Sequence, residues 1–364
     1  MDAIIHVGMH KAASTYLQKL FKSNRPLLSE SGLLALTRHG HAERKARSNR
    51  LQPKRGAQAM LSRYLNEFEI EPPIDYGSAL LSDEALEFLL SDPINFILME
   101  RKLRRMFDRF SYFVVVREQV GFQASMVQQW VKTFRIYDNQ LPAVRTGKPR
   151  MFHPLNYLHR FRGLLNSNCR AIYMPMHELI EQGGAVVVQR LVETELGVAA
   201  PELVEAPASN SGIGSRGVAF SSFFRYCMLQ SLQRSKLPVG ITQAMKKCFL
   251  SHCRQHGWNQ DRYFPFDADY VERLDHRLAG VNAKFARQAW NKSWQEVFPV
   301  QTHEQRVFDW QSLSEAQGKQ LESVFADFMP VFYREAEKSA IAAREVRFEA
   351  ALQGYLADVR RIRL

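Results

Sequence analysis

The opening segment constrains the fold most. Ala3-Ile4-Ile5-His6-Val7 is a short, mostly apolar run that stops at Gly8, which reads as a buried strand. The pattern then changes period: Leu17, Leu20 and Phe21 fall on one helical face, with Ser14 or Thr15 placed to cap the first turn. A strand passing directly into a helix opens a parallel α/β layer. The start of such a helix offers unpaired amides and a positive dipole end, and Lys11 adds an ammonium in the turn between them. An anion cradle is thus expected at the very start of the chain, and with it a phosphorylated ligand.

The alternation continues. Strands are expected near Leu33 to Leu36, over 78–82 and 112–117 and from Ala171 to Met174. Helices are expected over 94–107 and 119–133 and across Tyr157, Leu158, Phe161 and Leu164. This predicts a P-loop-type α/β fold, a parallel sheet of about five strands flanked by helices. After the Pro/Ala/Ser/Asn/Gly-rich loop from Ala206 to Gly217 helical patterns dominate, giving a helical C-terminal half. At 364 residues, an α/β domain with helical insertions over 1–300 and a C-terminal helical extension over 301–364 is the expected organisation. In that extension Ile341, Phe348, Leu352, Tyr355, Val359 and Ile362 form a narrow stripe broken by Glu345. It suits pairing with a second copy, as a homodimer, or packing back onto the body.

The place of the lysine narrows the chemistry. In ATPase and GTPase loops lysine directly precedes the magnesium-binding serine or threonine; here Ala12 and Ala13 separate Lys11 from Ser14, which argues against a metal-dependent NTPase. A second grip is legible further on. Tyr112-Phe113-Val114-Val115-Val116 runs into Arg117, at the strand end where parallel sheets bind ligands. Ser125 follows in a helical pattern set by Val120, Phe122, Met126, Val127, Trp130 and Val131, about two turns along. An arginine and a serine so spaced suit one shared phosphate.

Gly8-x-x-Lys11-x-x-Ser14-Thr15 followed by strand-Arg117-x7-Ser125 resembles the sulfotransferases that use 3'-phosphoadenosine 5'-phosphosulfate (PAPS). The resemblance implies that Lys11, Ala12, Ala13, Ser14 and Thr15, with the adjoining Tyr16, hold the 5'-phosphosulfate, while Arg117 and Ser125 hold the 3'-phosphate. The more familiar loop reads Lys-Thr-Gly-Ser/Thr-Thr; Ala12 and Ala13 depart from it in the manner of bacterial members. The lost hydroxyl removes a side-chain donor, but backbone amides do most of the holding in such loops. Asn210, Ser211 and Arg216 resemble the polar loop that closes over the nucleotide, with Arg216 as a nucleotide contact. Val281 to Arg287 resembles a late helix of bacterial members.

The reaction also needs a base for the acceptor proton. Ser78-Ala79-Leu80-Leu81-Ser82-Asp83-Glu84 is a strand running into two carboxylates, and it is similar to the Leu-Ser-Ser-Glu stretch of carbohydrate sulfotransferases, which puts the general base at Glu84. A capping role for Asp83 or Glu84 on a helix built from Ala85, Leu86, Phe88, Leu89 and Leu90 stays open. His41, beside His39 in a polar stretch, ranks second as base. His10 sits with the donor and reads as a contact.

Charge bears on the partner. The net charge is +12, from 49 basic and 37 acidic residues. Part of the excess is local, since Arg38, Arg44, Lys45, Arg47, Arg50, Lys54, Arg55 and Arg63 face only Glu43 in their stretch. An acidic carbohydrate, lipopolysaccharide or glycolipid acceptor fits this segment. Nucleic acid is not expected, because the stretch has only Tyr64 as an aromatic neighbour and no binding motif. Cys248-x3-His252-Cys253-x2-His256 follows from helical spacing and matches no standard zinc pattern; no metal is expected. Four cysteines suit a reducing compartment. With a strand already opening at Ala3 and no apolar run near the roughly 20 residues a bilayer requires, a cytoplasmic protein without a transmembrane segment is expected.

The expected activity is therefore metal-independent sulfuryl transfer from PAPS to a hydroxyl or amine of a carbohydrate or glycolipid, releasing 3'-phosphoadenosine 5'-phosphate. Two alternatives stay open: a P-loop nucleotide-dependent kinase, and a non-catalytic nucleotide- or polyanion-binding protein.

Overall fold

The computed structural model describes residues 1–9, 12–37, 76–83, 86–135, 156–206, 212–299 and 304–363. Five strands, β1 (Asp2–Val7), β2 (Leu33–Thr37), β3 (Ser78–Asp83), β4 (Arg109–Val116) and β5 (Ala171–Pro175), form one all-parallel sheet in the order β2-β3-β1-β4-β5. Both β1 and β4 are buried along most of their length, as expected of strands covered on both faces by crossover helices. From β1 the chain passes through helices Ser14–Ser23 and Arg25–Glu30 to β2. From β3 it passes through Glu87–Leu90 and Pro93–Met106, crossing β1, to reach β4.

The α/β architecture and five parallel strands match the sequence expectation, and three local differences have physical reasons. Helix Pro93–Met106 starts one residue early, because Asp92 accepts from the Ile94 amide at 2.9 Å and proline occupies the first turn. Strand β4 starts at Arg109 rather than near 112, pairing Asp2 through Ile5 of β1 with Arg109 through Tyr112. The helix expected across 157–164 is two short ones, Tyr157–Arg160 and Arg162–Leu165. They break at Phe161, and Gly163 then runs so close to Phe96 that a Cβ there would meet its Cβ at 2.7 Å.

The chain divides into two compact units. The first comprises Met1–Phe122, His153–Ser209 and Asp275–Gln301; the second comprises Gln123–Phe152, Asn210–Leu274 and Thr302–Leu364. The first unit contains the sheet. Beside it Arg160 and Glu87 form a buried ion pair, with the guanidinium 4.9 Å from the centre of the Phe122 ring. Burial pushes the arginine down to about 9, which still leaves it charged at neutral pH, and a carboxylate and a π face replace part of the water it loses.

The second unit is helical, built around Gly214–Leu232. Phe220, Phe223 and Phe224 of this helix meet Phe249, Phe328, Trp258 and Trp310 in edge-to-face and tilted contacts. Part of the C-terminal stripe packs here. Tyr355, on helix Phe348–Arg363, packs against Phe223, Tyr226 and Trp310, while Ile341 lies in a non-helical stretch before it. His256 stacks on Trp258 and its Nδ1 pairs with Gln320 at 3.0 Å, and Cys253 is buried. Among the described residues no helix is long and apolar enough to cross a membrane.

Candidate functional site at the carboxyl edge of the sheet

Strand register decides what shares an edge. Val7, the last residue of β1, lies opposite Asp83 on β3 and Val114 on β4. β4 runs two residues further before Arg117. The turn after Gly8, the position after Asp83 and Arg117 therefore follow the carboxyl ends of three adjacent strands. The connection from β1 leads toward β2 and the one from β4 toward β5, the arrangement that opens a ligand crevice between neighbouring strand ends.

The turn after β1 is closed from within. Ala12 donates its amide to the Met9 carbonyl at 3.1 Å and Ser14 donates its hydroxyl to the same carbonyl at 3.0 Å. Ser14 is buried and is the first helical residue, so the expected cap at Ser14 or Thr15 is corrected: the N-cap is Ala13, which has no capping side chain. Ala13 holds φ 58 and ψ 8, the left-handed region where glycine is at ease and alanine costs about 1 kcal/mol. No acidic residue occupies the first helical turn. A left-handed residue leading into an uncapped helix aims successive amides to one side, the geometry of an anion nest.

Ala12 and Thr15 flank this nest, Ala12 buried and Thr15 half-buried. The Tyr16 hydroxyl is engaged locally. Its hydroxyl donates to Glu205 and accepts from the Gly184 amide at 2.8 Å, and Glu205 accepts from Ala185 at 3.1 Å. The pair thereby caps helix Gly184–Leu191, and burial with the Glu205 carboxylate pushes the phenol up to about 12. His10, Lys11, His39, His41, Glu84, Asn210, Ser211 and the basic segment from Arg38 to Arg63 lie outside the described residues.

At the end of β4, Arg117 is half-buried, and its carbonyl accepts the hydroxyl of the fully buried Tyr157. Burial lowers the guanidinium's pKa while the neighbouring Glu118 opposes that shift; its Oε2 lies 3.9 Å from Arg117 Nε. Glu118 caps the next helix, Gln119–Val131, by accepting the Gly121 amide at 2.9 Å. Burial is the largest influence on its carboxyl group and Asp275 adds to it. Together they push it up to about 6 against the pull of Arg117 and Gly121. Asn282, from the late helix singled out in the sequence, is buried against Gln119, whose amide donates to it at 2.5 Å.

Two residues at this edge escaped the sequence reading. Glu118 was legible only as the residue after Arg117, with Gly121 three further on as a capping signal. His6 was hidden as one polar letter in an apolar run. It is buried, its Nδ1 lies 2.7 Å from the hydroxyl of Ser82, and its ring is 5.6 Å from that of Phe113. Desolvation lowers its pKa to about 3, so it is neutral. The clue was Ser82, the residue at the matching register position of β3.

Two further expected nucleotide contacts, Ser125 and Arg216, fall in the second unit. Ser125 is half-buried on helix Gln119–Val131. Arg216 grips Asp261 with a forked pair of hydrogen bonds, Nε at 2.6 Å and Nη2 at 3.1 Å, which holds its guanidinium in place. Among the described residues no group of three or more His, Cys, Asp and Glu could hold a metal ion. Comparison with protein-family models, curated proteins and solved structures gives no match.

Proposed function

We propose that this chain is a PAPS-dependent sulfotransferase with a P-loop-type sheet, acting on a hydroxyl or amine of a carbohydrate or glycolipid. One observation carries the reading: the first motif follows β1 and Arg117 follows β4, adjacent strands in the sheet, at the edge where such folds take phosphorylated ligands. The uncapped helix after a left-handed Ala13 suits the 5'-phosphosulfate, and Arg117 with Ser125 is assigned the 3'-phosphate.

In the reaction, Glu84 takes the acceptor's proton as the acceptor oxygen or nitrogen forms its bond to sulfur. The bond from sulfur to the 5'-phosphate oxygen breaks, and its electron pair stays on that oxygen. Lys11 and the first-turn amides stabilise the developing charge, and 3'-phosphoadenosine 5'-phosphate leaves. His41 is the alternative base. The basic segment from Arg38 to Arg63 suits an anionic acceptor.

Calorimetric titration of 3'-phosphoadenosine 5'-phosphate against the same nucleotide lacking the 3'-phosphate tests the assignment. The doubly phosphorylated form should bind at least about tenfold tighter, the scale of charge-assisted hydrogen bonds. Equal affinities overturn it. Magnesium-dependent ATP turnover would instead favour a kinase, and nucleotide binding that persists without transfer to any acceptor would favour a binding protein.

A further inference from the structure

A cavity of about 670 Å³ is lined, among the described residues, by the second unit alone, a volume inside the range of about 300 to 1,000 Å³ typical of small-molecule sites. Its walls are held by backbone. Phe264 and Arg306 exchange reciprocal amide-to-carbonyl bonds at 3.0 and 2.8 Å. Gly214, at φ 64, passes so close to the neighbouring chain that a Cβ would sit 2.0 Å from the Trp258 carbonyl oxygen. Such a pocket is formed before any ligand arrives, which lowers the ordering cost of binding.

The lining is chemically particular. Gln128, Asn259 and Gln260 supply carboxamides, each a donor and an acceptor, while Tyr263 and Phe264 supply aromatic surface. The charges nearly cancel. Asp261 is paired with Arg216, and Glu304 with Arg306 at 2.9 Å. Arg262 is the one cation of the lining with no ion pair among the described residues. A ligand matching this set has many hydroxyls, an apolar ring face and a single negative charge.

We infer that this cavity binds a sugar unit carrying one anionic group. Arg262 meets the anion, the carboxamides and the Asp261 carboxylate meet hydroxyls, and the aromatic rings cover the C–H face. That the sugar belongs to the acceptor chain rests on the sulfuryl-transfer reading; the chemistry of the cavity does not.

The experiment uses the full chain and two probes, a trisaccharide of galacturonic acid and its neutral galactose counterpart, followed by saturation-transfer NMR and calorimetry. The uronate should bind about tenfold or more tightly than the neutral sugar, and Arg262→Ala, at an exposed position, should erase that preference while leaving neutral-sugar binding unchanged. Phe264→Leu should weaken both probes alike. No binding of either sugar, or an unchanged preference in Arg262→Ala, overturns the inference. So does displacement of the trisaccharide by 3'-phosphoadenosine 5'-phosphate, since the cavity would then belong to the nucleotide. Sugar binding that follows Arg262 in a protein indifferent to the nucleotide's 3'-phosphate would sustain the cavity and remove only the transfer reaction.

Discussion

The two ends of the sheet are built on opposite electrostatic plans. At the amino end charges are paired off. The terminal amine of Met1 meets Asp108, Arg109 meets Asp2, and Glu195 takes both Arg170 at 2.6 Å and the Ser111 hydroxyl at 2.8 Å. At the carboxyl end the helix after β1 has no capping side chain, Ala13 is strained, and Glu118 is held up at about 6 beside Arg117. A protein selected only for stability would neutralise both ends. On the proposed reading, the difference separates a scaffold edge from one where an anion would complete the charge balance.

The sharpest test of this contrast removes the proposed base. Glu84→Ala should lower sulfuryl transfer on the order of 100-fold or more in steady-state assays, with affinity for 3'-phosphoadenosine 5'-phosphate unchanged by calorimetry. A matching loss of nucleotide affinity would move Glu84 from catalysis into binding. Next in size, Arg117→Ala should cost roughly 1.5 to 3 kcal/mol of nucleotide binding, the scale of hydrogen bonds to charged groups. The loss should vanish for a nucleotide lacking the 3'-phosphate, and a loss common to both nucleotides would break the assignment.

Legibility followed the range of the interactions involved. β1, the buried face of helix Ser14–Ser23 and the order of strands and helices rest on local period, and the sequence pattern carried them. The extension of β4 back to Arg109 did not, because Arg109-Phe110-Ser111 is two-thirds polar. Its partners, Asp2 and Glu195, lie 107 and 84 residues away in sequence from Arg109 and Ser111. The left-handed Ala13 has no signal of its own, since alanine favours helix; only the glycine of the resembling loops marks the position. The elevated Glu118 carboxyl depends on burial, and no spacing announces burial of a charged letter.

Glu118 gives the third test. Its carboxyl group is raised in the folded state from 4.5 to about 6, so folding disfavours the ionised form. Below about pH 4.5 it is protonated in both states and costs nothing. As pH rises from about 4.5 through about 6 the protein loses roughly 2 kcal/mol. Urea unfolding between pH 4.5 and 7.5 should show this decline, and Glu118→Gln should flatten it. An equal decline in the variant would assign the effect to other groups. Smaller still, Ala13→Gly should raise stability by about 1 kcal/mol, because glycine adopts φ 58 without strain. Its larger unfolded-state entropy offsets part of that gain, and a net loss would contradict the strain at this turn.

The smallest effect belongs to the opposite edge, where the comparison is most exposed to failure. Arg109 is largely solvent-exposed and its partner Asp2 is ordered in β1 by the sheet itself, so the pair adds little that strand pairing does not already supply. Arg109→Ala should leave the urea midpoint within measurement error at 0.15 M salt and nucleotide affinity unchanged. Any residual difference should shrink further at high salt, since screening removes what an exposed pair contributes. A clear, salt-independent loss of stability would mean that the amino edge depends on its charges as much as the carboxyl edge does. The division into a scaffold edge and a proposed ligand edge would then rest on the features of the carboxyl edge alone.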